Sequence, residues 1–212
     1  MNHMFTDFLA STVVGSRLLA GFRQRAISKW ERHGRTMPPP HAVKQRTLLE
    51  FAKTFSLDVL VETGTYYGDM VQAMKPHFRQ IYSIELSDRL FQQARRRFAG
   101  DEHVRILHGD SGDVIADVIA MLDAPALFWL DGHYSAGITA KGDNDTPVHQ
   151  ELCRILADEH RSHVIVIDDA RLFGVDPAYP RLDEIRQLVA RTGTAKTIKI
   201  EDDSIRVFPV RP

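Results

Sequence analysis

Apolar residues follow two different spacings along the chain from His41 onward. In some stretches they form short runs rich in β-branched residues, which predicts buried strands. These runs are residues 57–62 (LDVLVE), 80–86 (QIYSIEL), 103–107 (HVRIL), 126–130 (ALFWL) and 163–167 (HVIVI). Between the runs, apolar residues recur at helical spacing. This spacing predicts helices over residues 42–55, 69–77, 88–98, 114–122, 148–158 and 183–191.

The alternation of strands and helices predicts an α/β fold in which a mostly parallel, Rossmann-like sheet lies between two layers of helices. The last part of the chain follows a different pattern. Residues 195–210 (AKTIKIEDDSIRVFPV) predict two strands joined by a turn at Asp202 and Asp203. We expect this C-terminal hairpin to insert one antiparallel strand into the sheet.

Residues 1–40 are predicted to form a separate helical extension, and residues 41–212 the main domain. The apolar positions of the extension are Phe5, Leu9, Val13, Leu18, Phe22 and Trp30. The sequence MPPP at residues 37–40 ends any helix that precedes it. The extension holds six basic and two acidic residues, a net charge of +4. Because a basic amphipathic helix can lie on a membrane surface, peripheral membrane contact by residues 1–36 is one interpretation. Packing of the extension on the domain, or on the second subunit of a homodimer, is the other.

The composition argues against several classes of function. The chain has 212 residues and a net charge of −1, whereas a nucleic-acid binder usually carries a clear basic excess, so we expect no nucleic-acid partner. Cys153 is the only cysteine, which excludes an internal disulfide and a multi-cysteine zinc site and suits the reducing cytoplasm. No apolar run approaches the roughly 18 residues that span a bilayer, and the N-terminus lacks a signal-peptide pattern. We therefore predict a cytoplasmic location.

Each of the five predicted parallel strands is followed by polar, turn-forming residues. In open α/β sheets, ligands bind beyond the C-terminal ends of the strands, so these residues are candidates for a shared site. They are Glu62 to Gly68 after the first strand, Glu85 after the second, Asp110 and Ser111 after the third, Asp131 and His133 after the fourth, and Asp168 and Asp169 after the fifth. The joint pattern favours a nucleotide-like cofactor, although each residue taken alone could be a turn former or a helix cap.

The first of these turns, VETGTYYG, limits the choice of cofactor. Gly64 allows the backbone to turn and to approach a ligand closely, and Gly68 allows the next helix to pack nearby. A nicotinamide site usually has Gly-x-Gly-x-x-Gly, but Tyr66 stands where the middle glycine would be. The chain also has no Gly-Lys-Ser/Thr phosphate loop. These features favour a cofactor without a pyrophosphate. Glu85, about twenty residues further on, is placed to accept hydrogen bonds from ribose hydroxyls, and Asp110 and Ser111 are available for an adenine edge.

Four motifs together resemble those of the class I S-adenosylmethionine-dependent methyltransferases. They are VETGTYYG, IYSIEL, HGDSG and FWLDGHYSAG, and the likeness covers roughly residues 42–210. The first motif of that family usually reads acid-x-Gly-x-Gly-x-Gly, so this chain matches at Glu62, Gly64 and Gly68 and departs at Tyr66. The resemblance implies a methyltransferase sheet and S-adenosylmethionine as the cofactor. The implied cofactor-binding residues are Glu62, Gly64, Thr65, Tyr66, Gly68, Glu85, Asp110, Ser111 and Asp131.

Two motifs are similar to those of the macrocin-type branch of sugar O-methyltransferases, namely LDGHYS and IDDAR. In that branch an aspartate after the fourth strand and an Asp-Asp pair after the fifth bind Mg²⁺. The implied ligands here are Asp131, Asp168 and Asp169. This chain has Asp-Gly-His where the branch commonly has Asp-Gly-Asp-His. The resemblance implies methyl transfer to a hydroxyl of a sugar or another small molecule, assisted by Mg²⁺.

A hydroxyl acceptor needs activation, because it is a poor nucleophile near neutral pH. Three carboxylates suit Mg²⁺, which prefers oxygen ligands, and a metal-bound hydroxyl loses its proton more easily. We therefore take Asp131 and His133 as candidate catalytic residues, with His133 as the general base because imidazole titrates near working pH. A structural role for His133, and a cap and a salt bridge for Asp168 and Asp169, are the alternatives.

Three tyrosines and one loop are candidates for contact with the acceptor. Tyr66, Tyr67 and Tyr134 could touch a substrate, but packing at the rim of the site explains them equally well. The segment from Tyr134 to Pro147 is long, polar and contains glycine, which is typical of a lid or recognition loop. We expect it to become ordered when ligands bind, so that limited proteolysis within it slows when cofactor and acceptor are present.

Two other classes of function remain open from the sequence. A metal-dependent hydrolase or oxygenase could use Asp131, His133 and Asp168 as ligands, but it would leave the glycine turn and Glu85 unexplained. A non-catalytic module could keep the cofactor while its N-terminal helices recruit a partner, because a fold alone does not fix function.

Overall fold

The computed structural model describes residues 13–131 and 147–210, with side chains from residue 20 onward. Contacts within the chain divide it into two compact units, Met1–Thr47 and Leu48–Pro212. The division predicted from the sequence, at residue 40, remains a prediction. None of the helices in the described ranges is long and apolar enough to cross a membrane.

The described part of the first unit is built around helix α1, Val13–Arg32, and the start of helix α2, His41–Phe55. Ile27 and Trp30 of α1 pack against Val43 of α2. The indole of Trp30 donates a hydrogen bond to the carbonyl oxygen of Thr36, at 2.7 Å. This bond fastens the segment between the two helices to the end of α1. The predicted apolar positions Phe5 and Leu9 lie outside the described residues, so membrane contact by this extension stays a prediction.

The second unit is a seven-stranded sheet flanked by helices. The strands are β1 Val59–Thr63, β2 Gln80–Glu85, β3 Val104–His108, β4 Leu127–Leu130, β5 Val164–Ile167, β6 Lys196–Glu201 and β7 Ser204–Pro209. The helices are α3 Asp69–Met74, α4 Asp88–Arg97, α5 Ser111–Met121, α6 Val148–Ala157 and α7 Leu182–Ala190, with a short 3₁₀ helix at Ala170–Leu172. The strand order is β3-β2-β1-β4-β5-β7-β6, and β1 to β5 are parallel.

Burial along the central strands explains the three layers. β1, β4 and β5 are buried along their whole length, as expected for parallel strands covered on both faces. Successive side chains of a strand point to opposite faces. Accordingly Val59 and Val61 belong to one apolar core, while Leu60 belongs to the other. The sheet therefore has a hydrophobic core on each side, and the predicted α/β class is confirmed.

The C-terminal hairpin inserts one antiparallel strand, as predicted. β7 pairs antiparallel with β5, and β6 pairs antiparallel with β7. The two turn residues, Asp202 and Asp203, have φ angles of 49° and 61°. Positive φ at both central residues is the geometry of the tight hairpin turn that matches the twist of the strands, and aspartate tolerates it better than most residues.

Two elements differ from the sequence prediction for identifiable reasons. Helix α5 begins at Ser111, three residues before the predicted start, because the side chain of Asp110 accepts a hydrogen bond from the N–H of Gly112 and caps the helix. Helix α3 ends at Met74 and not at residue 77, because Pro76 has no N–H with which to continue the intrahelical hydrogen bonds beyond Lys75.

Acidification below about pH 6.5 is expected to destabilise the fold through His163. The buried imidazole accepts a hydrogen bond from the N–H of Ala126 at Nδ1, 3.0 Å, and its Nε2 lies 3.0 Å from a carboxylate oxygen of Asp158. Burial lowers the pKa of His163 below its ordinary value of 6.5. As the pH falls, the unfolded chain therefore takes up the proton first, and stability is lost.

The measurement is urea denaturation at pH 7.5 and pH 5.5 for the natural protein and for His163→Gln. The loss of unfolding free energy between the two pH values should be smaller in the variant, which cannot titrate at this position. An equal loss in both proteins would show that His163 does not contribute to the acid sensitivity.

Candidate functional site

The polar residues predicted from the sequence converge at one edge of the sheet. In the parallel pairings Thr63 lies opposite Ile84 and Leu130, Glu85 lies opposite His108, and Leu130 lies opposite Ile167. The C-terminal ends of β1 to β5 are therefore level with one another. The turns that follow them share the position at which open α/β sheets bind ligands.

The turn after β1 is held in a conformation that only a few residue types adopt easily. Gly64, Tyr66 and Gly68 all have positive φ, at 83°, 51° and 78°. The N–H of Gly64 donates a hydrogen bond to the carbonyl oxygen of Ile84 on β2, at 2.9 Å. A Cβ atom on Gly68 would lie 2.6 Å from the ring of Phe98, so close packing requires glycine there as well.

Glu85 fastens this turn to the end of β2. One of its carboxylate oxygens accepts a hydrogen bond from the N–H of Tyr66, at 2.8 Å, and the other accepts one from the N–H of Ser87, also at 2.8 Å. Burial raises the pKa of Glu85, although the two backbone donors oppose that effect. The predicted contact of Glu85 with ribose remains a prediction, and the structure adds a role in shaping the glycine turn.

A buried chain of hydrogen bonds runs beneath the turn. The hydroxyl of Ser83 donates to a carboxylate oxygen of Glu62 at 2.5 Å, and it lies 2.6 Å from the hydroxyl of Thr65. All three side chains are buried. Burial raises the pKa of Glu62 to about 8, and the nearby carboxylates of Asp131 and Glu85 add to the rise. Glu62 is therefore mostly protonated at neutral pH when no cationic ligand is near it.

Replacement of Glu62 by glutamine is expected to stabilise the ligand-free protein at alkaline pH. A carboxyl whose folded pKa is about 8 and whose unfolded pKa is near 4.5 contributes stability below pH 4.5, and this stability is lost as the pH rises towards 8. Glutamine is neutral at every pH. Between pH 5 and pH 8.5 the natural protein should therefore lose roughly 3 to 4 kcal/mol of unfolding free energy that the Glu62→Gln variant keeps, at about 1.4 kcal/mol for each unit of pKa difference.

Urea denaturation at pH 5 and pH 8.5 in the presence of EDTA measures this effect. Glu102→Gln, which removes an exposed acid, is the matched control and should leave the pH dependence unchanged. A Glu62→Gln variant with the same pH dependence as the natural protein would contradict an elevated pKa at Glu62.

The turn after β3 is also fixed by hydrogen bonds. Asp110 caps α5 through the N–H of Gly112, at 2.9 Å, and the hydroxyl of Ser111 donates to a carboxylate oxygen of Glu151 on α6, at 2.5 Å. The cap that the sequence allowed as an alternative for Asp110 is thus present. The adenine contact predicted for Asp110 and Ser111 remains a prediction.

Asp131, Asp168 and Asp169 come together as the sequence predicted for a metal site. One carboxylate oxygen from each residue lies within 4.8 Å of the other two. Asp168 and Asp169 are buried, and Asp131 is half-buried. The strand ends position the cluster, because the N–H of Asp131 donates to the carbonyl oxygen of Thr63 and the N–H of Asp168 donates to that of Leu130. Three negative charges this close repel one another unless a cation or protons offset them.

Asp169 is held by a partner that the sequence did not indicate. Its backbone has a positive φ of 57°. The guanidinium of Arg171 donates to its carboxylate at 2.8 Å and also pairs with Asp203 in the turn between β6 and β7. The N–H of Arg171 donates a further bond to Asp203, at 2.9 Å. The salt bridge considered as an alternative for Asp169 is therefore present, and it connects the hairpin turn to the acidic cluster.

The aromatic candidates are divided between described and undescribed residues. The rings of Tyr66 and Tyr67 lie 4.2 Å apart between centroids, and Tyr66 is exposed. This contact is the rim packing that the sequence allowed, and a substrate role for Tyr66 and Tyr67 stays a prediction. His133 and Tyr134 lie outside the described residues, as does the predicted lid loop up to residue 146.

A cleft of about 920 Å³ lies beyond β5, and no sequence pattern predicted it. It is lined by residues 174–181 together with His149, Gln150 and Glu184. One of its side chains, Tyr179, lies edge-on against Phe173 and within electrostatic reach of the acidic cluster. Burial and the negative charge of Asp169 raise the pKa of Tyr179 above its ordinary value, so its phenol stays protonated and can donate a hydrogen bond.

Comparison with known proteins gives a fold and no closer relationship. No family model and no curated protein matches the chain in sequence. The solved structures that resemble it include the Podospora anserina methyltransferase PaMTH1 bound to S-adenosylhomocysteine, with a TM-score of 0.56 and 13% identity over 91% of this chain and 88% of that one. The chain has the Rossmann-like fold of these methyltransferases.

Two further structures with this fold are O-methyltransferases. The O-methyltransferase TomG of Streptomyces achromogenes, which is involved in tomaymycin synthesis and was crystallised with S-adenosylmethionine, has a TM-score of 0.57 and 16% identity over 90% of this chain and 89% of that one. The Bacillus cereus O-methyltransferase, crystallised with S-adenosylhomocysteine, has a TM-score of 0.54 and 12% identity over 89% of this chain and 90% of that one. The match extends over nearly the full length of each methyltransferase-fold chain.

Proposed function

We propose that this chain transfers a methyl group from S-adenosylmethionine to a hydroxyl of a sugar or another small molecule, with assistance from Mg²⁺. The observation that carries the proposal is the placement of the acidic cluster beside the glycine turn. Asp131 bonds through its N–H to Thr63, the residue directly before Gly64, at 3.2 Å. A methyl donor at the turn and a hydroxyl at the cluster would be neighbours, and holding two reactants together is the main task of a methyltransferase.

The part of the proposal that concerns the cofactor depends on the turns after β1, β2 and β3. The tight turn at Gly64 would let a ligand without a pyrophosphate lie against the backbone. S-adenosylmethionine is such a ligand. Glu85 would accept the ribose hydroxyls, and Asp110 and Ser111 would lie at the adenine. Glu62, buried beneath the turn, would lose its proton when the positively charged sulfonium and ammonium groups of the cofactor approach, because a nearby cation favours the ionised carboxylate.

The part of the proposal that concerns the metal depends on the chemistry of the acidic cluster. Asp131, Asp168 and Asp169 offer three carboxylate oxygens that converge within 4.8 Å, and such hard oxygen donors suit Mg²⁺. These residues would hold the ion, and the salt bridge from Arg171 would keep Asp169 in place. Bound there, Mg²⁺ would lower the pKa of an acceptor hydroxyl. His133 remains the predicted base, two residues after Asp131 in the sequence.

The part of the proposal that concerns the acceptor depends on the cleft beyond β5. Its lining combines Asp176, Arg181 and the phenol of Tyr179 with the apolar surfaces of Val175 and Pro177. Such a mixture suits a neutral molecule with many hydroxyl groups, because each hydroxyl needs a donor or an acceptor and the carbon skeleton needs an apolar surface. Tyr179, which keeps its proton, would act as a hydrogen-bond donor to the acceptor and not as a base.

A metal-dependent hydrolase or oxygenase fits these observations less well. Of the ligands that such an enzyme would use, Asp131 and Asp168 lie in the acidic cluster and His133 lies outside the described residues. Such an enzyme would have no use for the bond between Glu85 and the glycine turn.

The proposal is tested by methyl transfer from S-adenosylmethionine carrying a labelled methyl group. The acceptors would be nucleotide sugars, simple glycosides with adjacent hydroxyls, and a set of amines without hydroxyls. We expect label to appear in hydroxylated acceptors with Mg²⁺ and to disappear with EDTA. Transfer to the amines alone, or equal transfer with EDTA, would contradict O-methylation assisted by a metal.

A further inference from the structure

Helix α6 grips the turn that follows β3. The side-chain amide of Gln150 donates to a carboxylate oxygen of Asp113 at 2.9 Å. Glu151 accepts the hydrogen bond from the hydroxyl of Ser111 at 2.5 Å. The guanidinium of Arg154 donates to the carbonyl oxygen of Gly112 at 3.2 Å. Three side chains of one helix thus hold three consecutive residues, 111–113, where the turn passes into α5.

The fit between α6 and the turn is close. A Cβ atom on Gly112 would lie 2.7 Å from the side-chain oxygen of Gln150, so no larger residue fits at Gly112 without a shift of Gln150. The same turn carries Asp110, which caps α5. The turn is the part of the site assigned to the adenine of the cofactor, so α6 determines the shape of the surface that adenine would meet.

Of the three side chains of α6 that bond to residues 111–113, Glu151 is the one that is both ionisable and fully buried, with a relative exposure of 1%. Burial raises its pKa to about 7, and the negative charge of Asp110 adds to the rise. On its own helix, the guanidinium of Arg154 is engaged with the carbonyl of Gly112. From the neighbouring strand β1, the hydroxyl of Thr63 approaches the carboxyl.

Within residues 13–131 and 147–210, the charged group that acts on the carboxyl of Glu151 is Asp110, and the neighbours of α6 described next add no cation to it. Asp113, the other acid of the gripped turn, is bonded to Gln150. Helix α7 packs against α6, and its buried residues are the apolar Ile185 and Val189. His149 of α6 is exposed and lines the cleft beyond β5. Ionisation of Glu151 would therefore place a second negative charge near Asp110 in a buried position, which is unfavourable.

We propose that Glu151 is a positioning residue whose enclosed carboxyl, bonded to the hydroxyl of Ser111, holds residues 110–113 in the shape that binds the cofactor, and that a negative charge on this carboxyl weakens cofactor binding. The inference rests on the proposed function. A bound cofactor displaces water from around Asp110, so the repulsion between Asp110 and an ionised Glu151 is screened less and binding favours the neutral carboxyl. By linkage, affinity for the cofactor falls as the pH rises through the titration of Glu151.

The test is calorimetric titration of the full chain with S-adenosylhomocysteine at pH 6.0, 7.0, 8.0 and 8.5. The proteins are the natural chain, Glu151→Gln, and Asp117→Asn as a control that removes an exposed acid of α5. Glutamine keeps an acceptor for Ser111 and cannot ionise. We expect the natural protein and Glu151→Gln to bind equally well at pH 6.0. At pH 8.5 the natural protein should bind about tenfold more weakly than the variant, which corresponds to one unit of change in the pKa of Glu151 on binding.

The ratio of the two affinities separates Glu151 from every other titrating group, including Glu62 and the amino group of the ligand, because those groups are present in both proteins. A ratio that stays constant from pH 6.0 to 8.5 would overturn the inference, since a purely structural role would weaken binding equally at each pH. Asp117→Asn should follow the natural protein throughout.

A second variant keeps the inference testable if Glu151→Gln does not fold. Ser111→Ala removes the hydrogen bond that favours the ionised carboxylate, so the pH at which affinity declines should move upward. An unchanged midpoint would overturn the inference. Failure of the natural protein to bind S-adenosylhomocysteine at any pH would instead refute the proposed function, so the two failures are distinguishable.

Discussion

Replacement of Gly64 by valine is expected to lower the affinity for S-adenosylhomocysteine by about a hundredfold or more, a loss of roughly 3 kcal/mol. Gly64 has a φ of 83°, which a β-branched residue adopts only with strain, and its N–H anchors the turn to Ile84. A valine side chain would also stand at the point where the proposed cofactor approaches the backbone. Either the turn or the ligand must move, and binding is lost in both cases.

The matched control is Gly34→Val in the first unit. Gly34 has a φ of 79°, and a Cβ atom there would meet nothing within 4 Å, so the substitution causes similar backbone strain without touching the candidate site. Calorimetry measures the affinities, and thermal unfolding followed by circular dichroism shows that both variants fold. If Gly64→Val binds as tightly as the natural protein, the glycine turn is not the cofactor site.

Replacement of Asp168 by asparagine is expected to abolish the stabilisation that Mg²⁺ gives to the natural protein. An ion that binds only the folded state raises its stability by about 2.7 kcal/mol at a hundred times its dissociation constant, which for a chain of this size corresponds to a rise in Tm of about 5 °C or more. Asp168 is 3% exposed and supplies one of the three converging oxygens. Without magnesium, the variant should be at least as stable as the natural protein, because the amide relieves repulsion among the carboxylates.

The control for this experiment is Asp176→Asn. The negative charge of Asp176, like that of the cluster, contributes to the raised pKa of Tyr179, but Asp176 is exposed. Its carboxylate accepts a hydrogen bond from the N–H of Ala178, which asparagine can also accept. This variant should keep the full response to magnesium. A response that survives in Asp168→Asn, or that is absent from the natural protein at millimolar magnesium, would contradict a metal site at the cluster.

The order of strands and helices was predictable because a strand that is buried on both faces is a continuous run of apolar residues in the sequence. β1, β4 and β5 are continuous apolar runs, and the helices between them keep one apolar side. The boundaries were less predictable, because they depend on single bonds. Asp110 starts α5 three residues before the apolar spacing begins, and the 3₁₀ helix at Ala170–Leu172 has no periodic pattern. The hairpin turn was predictable from Asp202 and Asp203.

The residues at the candidate site were predictable wherever a strand end placed them, as with Glu62, Glu85 and Asp131. What the sequence could not show were the bonds between distant residues that hold them in position. Arg97 donates to the carbonyl oxygen of Tyr67 at 2.5 Å across 30 positions, although its place in a run of three arginines predicts a solvated surface. Glu151 reaches Ser111 across 40 positions. Such pairs follow from the packing of helices, which local patterns do not record.

The roles of His133, Tyr134 and the loop that follows them stay predictions, because these residues lie outside the described part of the chain. The membrane or partner contact of the N-terminal extension also stays a prediction, since Phe5 and Leu9 lie outside the described residues.

The most direct test of the account is calorimetric titration of the purified protein with S-adenosylhomocysteine, with Mg²⁺ and with EDTA. We expect saturable binding at one site per chain, because the glycine turn, Glu85 and the turn at Asp110 together form one cofactor site. Absence of binding under every condition, from protein shown to be folded, would contradict the methyltransferase function.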